Sequence, residues 1–156
     1  MPHVPTASPV RATEGQARTA TRIATTLLLL AASACATSPP AQVAFPVGST
    51  FAWLGTDAGG VRRNSPPDAT RYTIAFDPSG RATMRLDCNR GSAQWHLEGN
   101  KLAFSPIAAT KMMCPRGSLD VAFASDLVQV DAWRYDGSVL VLSGRDGSTM
   151  RFRPAP

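Results

Sequence analysis

Lysine is scarce in this 156-residue chain: Lys101 and Lys111 stand against 14 arginines. The basic residues are scattered and no aromatic sits within a cluster of them, which argues against a nucleic-acid groove. Histidine is limited to His3 and His96. No carboxylate pair, no nucleophile with its base and no metal-ligand set stands at useful spacing, so the sequence offers no reaction centre. No uncharged apolar run reaches the roughly 20 residues of a membrane-spanning helix. Internal repeats are also missing. Cysteine occurs three times, at Cys35, Cys88 and Cys114, and none is close in sequence to another, unlike the usual thiol-redox pair.

What is present begins at the N-terminus. Residues 1–22 are polar and carry Arg11, Arg18 and Arg22 against Glu14, and residues 23–34 form an uncharged run with four consecutive leucines at 27–30. Such a run suits the apolar centre of a secretory signal. It ends in Ala32-Ser33-Ala34-Cys35, small residues before a cysteine that resemble a bacterial lipobox. The resemblance implies cleavage before Cys35 and lipidation of that residue. With Ala36 next in place of aspartate, it also implies sorting to the outer membrane, facing the periplasm. Each buried acyl methylene contributes about 0.8 kcal/mol, and more than one chain makes anchoring stable. Ordinary signal cleavage at the same alanines, leaving Cys35 free, is the alternative.

The expected division is a signal at 1–34, anchor and tether at 35–46, and one folded domain at 47–154. Removing the signal takes three arginines and one glutamate, which lowers the formal net charge from +5 to +3. In an oxidising compartment the remaining Cys88 and Cys114 are expected to form a disulfide across 25 intervening residues. Two buried thiols or a redox-active pair are the alternatives. A zinc site would need His96, and strand alternation places His96 opposite Trp95 and Leu97. Neither metal nor cofactor is expected.

Short alternating segments fill the rest. Phe51 to Leu54 reads as a first strand, and Thr56 to Ala69, without apolar period, as an exposed loop. Tyr72, Ile74 and Phe76 alternate with Thr73 and Ala75, and Asp77-Pro78-Ser79-Gly80 supplies a turn. In the next strand Ala82, Met84, Leu86 and Cys88 share the inward face. Ala93, Trp95 and Leu97 face inward on a third, and Lys101 to Phe104 forms a fourth. Ser118 is placed to cap a helix whose Leu119, Phe123 and Leu127 recur every four residues, with Ala122 widening the stripe. Val128 to Tyr135, Val139 to Leu142 and Thr149 to Arg153 follow, separated by Asp136-Gly137 and Asp146-Gly147. The fold class is mainly β: a small curled antiparallel sheet or partly open barrel of about eight strands with one short helix.

These residues resemble the META, or HslJ-like, domain of bacterial envelope proteins. The likeness lies in Phe76 and Gly80, in Cys88-Asn89, in Trp95, and in the run from Leu102 to Cys114. Met84, Gly91, Ala93 and Phe51 depart from the pattern, where the family often has glycine, an aromatic, glycine and tryptophan. The resemblance implies a small β-rich fold with one helix, an envelope location and links to stress tolerance, and no enzymatic activity. Asn89 and Thr110 are motif positions, structural or binding.

Two surfaces are candidates for binding. Trp133 shares a strand face with Gln129, Asp131 and Tyr135, whereas Trp95 is assigned to the core. Arg62 and Arg63 offer adjacent cations to an anionic envelope polymer. The resulting expectation is a monomeric, non-catalytic, lipid-anchored envelope protein that binds another envelope component under stress. A lysozyme-type or protease inhibitor is the rival, and a thiol-redox enzyme comes third.

Overall fold

Period-two alternation dominates the chain from Thr50 onward, and strands follow it. The computed structural model describes residues 43–156. Its strands are β1 (Thr50–Ala58), β2 (Val61–Asn64), β3 (Tyr72–Phe76), β4 (Arg81–Leu86) and β5 (Asn89–Glu98), then β6 (Lys101–Phe104) and β7 (Ala108–Ala109). A helix, α1 (Asp120–Gln129), runs directly into β8 (Val130–Asp136), followed by β9 (Val139–Gly144) and β10 (Ser148–Pro154). The signal, Cys35 and the tether up to residue 42 lie outside the described residues.

Eight of these strands close an antiparallel barrel in the order β1, β3, β4, β5, β6, β8, β9, β10. Closure comes from β10 returning to β1, with Phe51 opposite Pro154 at one end and Ala58 opposite Ser148 at the other. A closed ring leaves no free edge among its strands. Only β2, on the far part of β1, and β7, on β5, lie off it. The thinnest seam joins β6 to β8, where Lys101 opposite Ala132 is the registered pair.

Inward residues follow the expected alternation on β3 (Tyr72, Ile74, Phe76) and β4 (Ala82, Met84, Leu86). Helix α1 supplies the plug. Phe123 stacks on Trp53 at 4.8 Å between ring centroids and meets Tyr72 at 5.9 Å and Phe152 at 6.1 Å. Leu127 joins it in the core, and Leu119 and Ala124 pack against that core. The expected cap differs in detail. Leu119 is the cap residue, and the Ser118 hydroxyl accepts from the Asp120 N–H at 3.3 Å. A second aromatic cluster surrounds Phe45, which packs on Phe76, Trp95 and Trp133 at 4.7, 5.2 and 5.0 Å.

Several local expectations are corrected. The supposed loop from Thr56 is a hairpin: β1 continues to Ala58, Gly59 and Gly60 turn the chain, and β2 pairs back on Asp57 and Ala58. Three of the four β2 side chains are exposed, so no apolar period announced the strand. At Gly55 the register shifts, φ is 141°, and a Cβ there would lie 2.5 Å from the Asn64 carbonyl oxygen, beside the Arg62 guanidinium that donates to the Leu54 carbonyl. Only glycine fits such a bulge.

Cys88 leaves the inward face expected for it. β4 ends at Leu86, and Asp87-Cys88 is the turn into β5. Asp87 is buried, adopts φ of 58°, which a short polar side chain tolerates, and pairs with Arg71. Leu97 is 39% exposed, because β5 carries its last residues beyond the packed interior. Val128 belongs to α1, whose helix displaces the start of the expected strand to Val130.

Asp126 ties the plug to the first hairpin. Its buried carboxylate accepts from the Thr56 hydroxyl at 2.7 Å, from Asn64 Nδ2 at 3.3 Å and from Arg63. Removing one partner from such a cluster strands the others, so its energetic weight lies in the set.

Candidate functional site

Asn89 opens β5 and is 4% exposed, and its carboxamide organises the segment that follows β7. Oδ1 accepts from the Met112 N–H at 2.8 Å and the Thr110 hydroxyl at 2.9 Å. Nδ2 donates to the Met112 carbonyl at 3.1 Å and to Asp120 Oδ2 at 3.0 Å. Thr110 Oγ1 in turn accepts from the Arg90 N–H at 3.1 Å. Beside this hub Cys88 and Cys114 are bonded, with their Cα atoms 5.5 Å apart. One side chain and one crosslink therefore fix residues 110–114 to the start of β5.

Upstream, the two residues of β7 hold the same segment against β5, with Ala109 opposite Gly91 and Ala108 opposite Ser92. A Cβ at Gly91 would come within 3.1 Å of both Ile107 and Leu86, so the absence of a side chain admits Ile107 there. Residues 106–113 thus form a strap beside the barrel, and α1 lies across from it.

Between strap and helix runs a groove of about 750 Å³. Leu86, Ile107, Met112, Val121, Ala124 and Val128 are among its lining residues, with Asn89, Thr110, Lys111, Asp120 and Ser125 as its polar members. Met112, Met113 and Val121 are 59%, 99% and 76% exposed. Val121, Ala124 and Val128 recur at helical spacing beside the Phe123 and Leu127 face of α1, with Ala124 shared between core and groove. The helix therefore carries one broad apolar face, part in the core and part toward the groove. Asp120 is engaged by Asn89 and, through Oδ1, by the Ser118 hydroxyl at 3.1 Å.

Replacing Asn89 with alanine is expected to lower stability by about 1–3 kcal/mol through lost hydrogen bonds to a buried hub. The sharper readout is hydrogen exchange at the Met112 amide, which should speed up while β3 and β4 amides stay protected. Unchanged Met112 exchange would show that Asn89 does not hold the strap.

The other singled-out residues make contacts within the fold. Arg62 pairs with Asp57 at 2.8 Å, and Arg63 with Asp126 and with Asp146. Their charges are thus matched internally, although both guanidiniums are half-exposed. Trp133 is half-buried beneath Phe45, and its Nε1 donates to the Gly99 carbonyl at 3.1 Å. Tyr135 packs beside it at 6.1 Å, and burial pushes its phenol up. Trp95 packs against the core, as expected, and His96 is exposed. Hydrogen bonds from Thr70, Ser79 and Ser148 hold the carboxyls of Asp68, Asp77 and Asp146 below the usual range, which marks them as turn caps. Among the described residues no three His, Cys, Asp or Glu side chains are grouped to hold a metal.

Sequence reasoning missed Met112, Met113, Val121 and Ile107 as one surface. Two signals were there: a Met-Met pair inside a turn-rich stretch, and Val121 off the core stripe of α1.

A META domain model matches residues 49–156. No curated protein matches the sequence. Among solved structures, the fold is similar to an NMR structure of a protein from Burkholderia xenovorans, with a TM-score of 0.59 at 20% identity, covering 76% of this chain and 97% of that one. A crystal structure of a DUF4847 family protein from Bacteroides vulgatus gives 0.48 at 18% identity, covering 69% and 92%. At such identities the likeness concerns fold alone. The family match spans more than half of the chain and includes the barrel, the plug helix and the strap, and on that ground the chain belongs to the META domain family.

Proposed function

We propose that this protein is a non-catalytic cell-envelope protein, anchored through a lipid on Cys35, that supports envelope stress tolerance by binding another envelope component. The observation that carries the binding role is the groove flanked by exposed Met112, Met113 and Val121, with its strap pinned by Asn89 and the Cys88–Cys114 bond. Fixed walls around an exposed apolar surface suit recognition.

A thiol-redox role fits the same place poorly. Cys114 Sγ lies 3.7 Å from an Asp120 oxygen, and a neighbouring carboxylate disfavours the thiolate that exchange requires. An inhibitor of the lysozyme type would act through a protruding polar loop instead of this apolar groove.

Anchoring is tested by Cys35→Ser, which should move the protein from the membrane fraction to the soluble fraction; unchanged fractionation would refute the lipid anchor. Crosslinking and pulldown from envelope extract tests the binding role, and capture of an envelope component that Val121→Asp abolishes is the expected result. Capture unaffected by that substitution would remove the groove from the reading.

A further inference from the structure

The groove beside α1 has features of a small-ligand site, and its chemistry narrows the ligand. Its volume of about 750 Å³ falls within the range of roughly 300–1,000 Å³ typical of such sites. Resting on the reading of this protein as an envelope-binding module, we infer that the groove takes a single-chain anionic amphiphile of the fatty-acid class. The chain lies along Ile107, Val121, Ala124 and Val128, and the carboxylate meets Lys111.

Three observations carry this. The floor is aliphatic, and burying a methylene chain against it removes apolar surface of both partners from water. Met112 and Met113 at the mouth are unbranched and adaptable, which suits a ligand of variable chain length. The two lining charges are unequal. Asp120 keeps its negative charge, but both of its oxygens are already engaged, by Asn89 and Ser118, whereas Lys111 is exposed and has no carboxylate within ion-pair distance among the described residues. The groove thus offers one ammonium whose hydrogen-bond donors are free beside an apolar trough, complementary to a carboxylate on an aliphatic tail.

The test uses the full-length chain with Cys35→Ser, which keeps the protein's own acyl groups out of the measurement. Binding of the fluorescent fatty acid cis-parinaric acid is followed, then its displacement by laurate and by lauryl alcohol. One saturable site is expected, displaced better by laurate than by the alcohol. Val121→Asp, at an exposed position unneeded by the core, should weaken binding by about tenfold or more, because it sets a carboxylate in the trough. Lys111→Glu should weaken laurate by about threefold or more and leave lauryl alcohol unchanged, since only the charged head senses it.

Absence of saturable binding, or binding indifferent to Val121→Asp, would overturn the inference. So would a concentration-dependent dimer dispersed by Val121→Asp, which would assign the groove to a second copy. Capture of an envelope protein through the groove without laurate binding would overturn it while leaving the proposed function standing. Cytosolic fractionation with intact laurate binding would do the reverse.

Discussion

Phe123→Ala is expected to lower the unfolding free energy by about 3–5 kcal/mol, the range for truncating a buried aromatic. Phe123 has no exposed surface and touches three other rings, those of Trp53, Tyr72 and Phe152. Its removal leaves a cavity between the helix and the barrel wall. With only 10 residues, α1 is too short to be stable in isolation, so it depends on docking Phe123 and Leu127. Domain stability is about 5–15 kcal/mol in total, which makes this one substitution a large fraction of it. Urea unfolding followed by tryptophan fluorescence reads the effect directly, because Trp53 is the stacked neighbour. Phe123→Leu, which keeps most of the volume, should cost well under half as much. A loss below about 1 kcal/mol for the alanine variant would mean that α1 is not seated in the interior.

Removing the crosslink ranks second. Replacing both Cys88 and Cys114 with serine should destabilise the fold by about 3 kcal/mol, the chain-entropy value for a loop of this size. The effect should appear as an earlier unfolding midpoint in urea. The strap keeps a second restraint, the Asn89 hub, so its amides should lose only part of their exchange protection under native conditions, while strands β3 and β4 keep theirs. Thiol labelling of the denatured, unreduced wild-type chain should find neither Cys88 nor Cys114 reactive. Labelling at both would remove the bond and, with it, the expected destabilisation.

Where a strand borders the interior on one face, its residues repeat every two, and that much could be read directly. Tyr72, Ile74 and Phe76, and Ala82, Met84 and Leu86, fell on the inward face as their alternation indicated. The Asp77-Pro78-Ser79-Gly80 turn stands where its residues placed it, with Gly80 at φ of 83°. β2 was missed because an off-ring strand with exposed side chains has no such period, and is held by backbone pairing to β1. Cys88 was misplaced by one assumption, that alternation continues to the end of a strand, when the turn at Asp87 had already ended it.

Local residue order therefore settled the secondary structure of most of the described residues, their mainly β class and their helix, because periodicity and turn chemistry act over a few neighbours. The family resemblance put Asn89 and Thr110 forward, without saying what they touch. Tertiary structure alone decided that β10 meets β1 to close the ring, that Phe45 covers Trp133, and that Arg63 spends its charge on Asp126. It also brought Met112 and Val121 to one groove. Each of those joins residues far apart along the chain, and such contacts exist only once the barrel has set the distances between its walls.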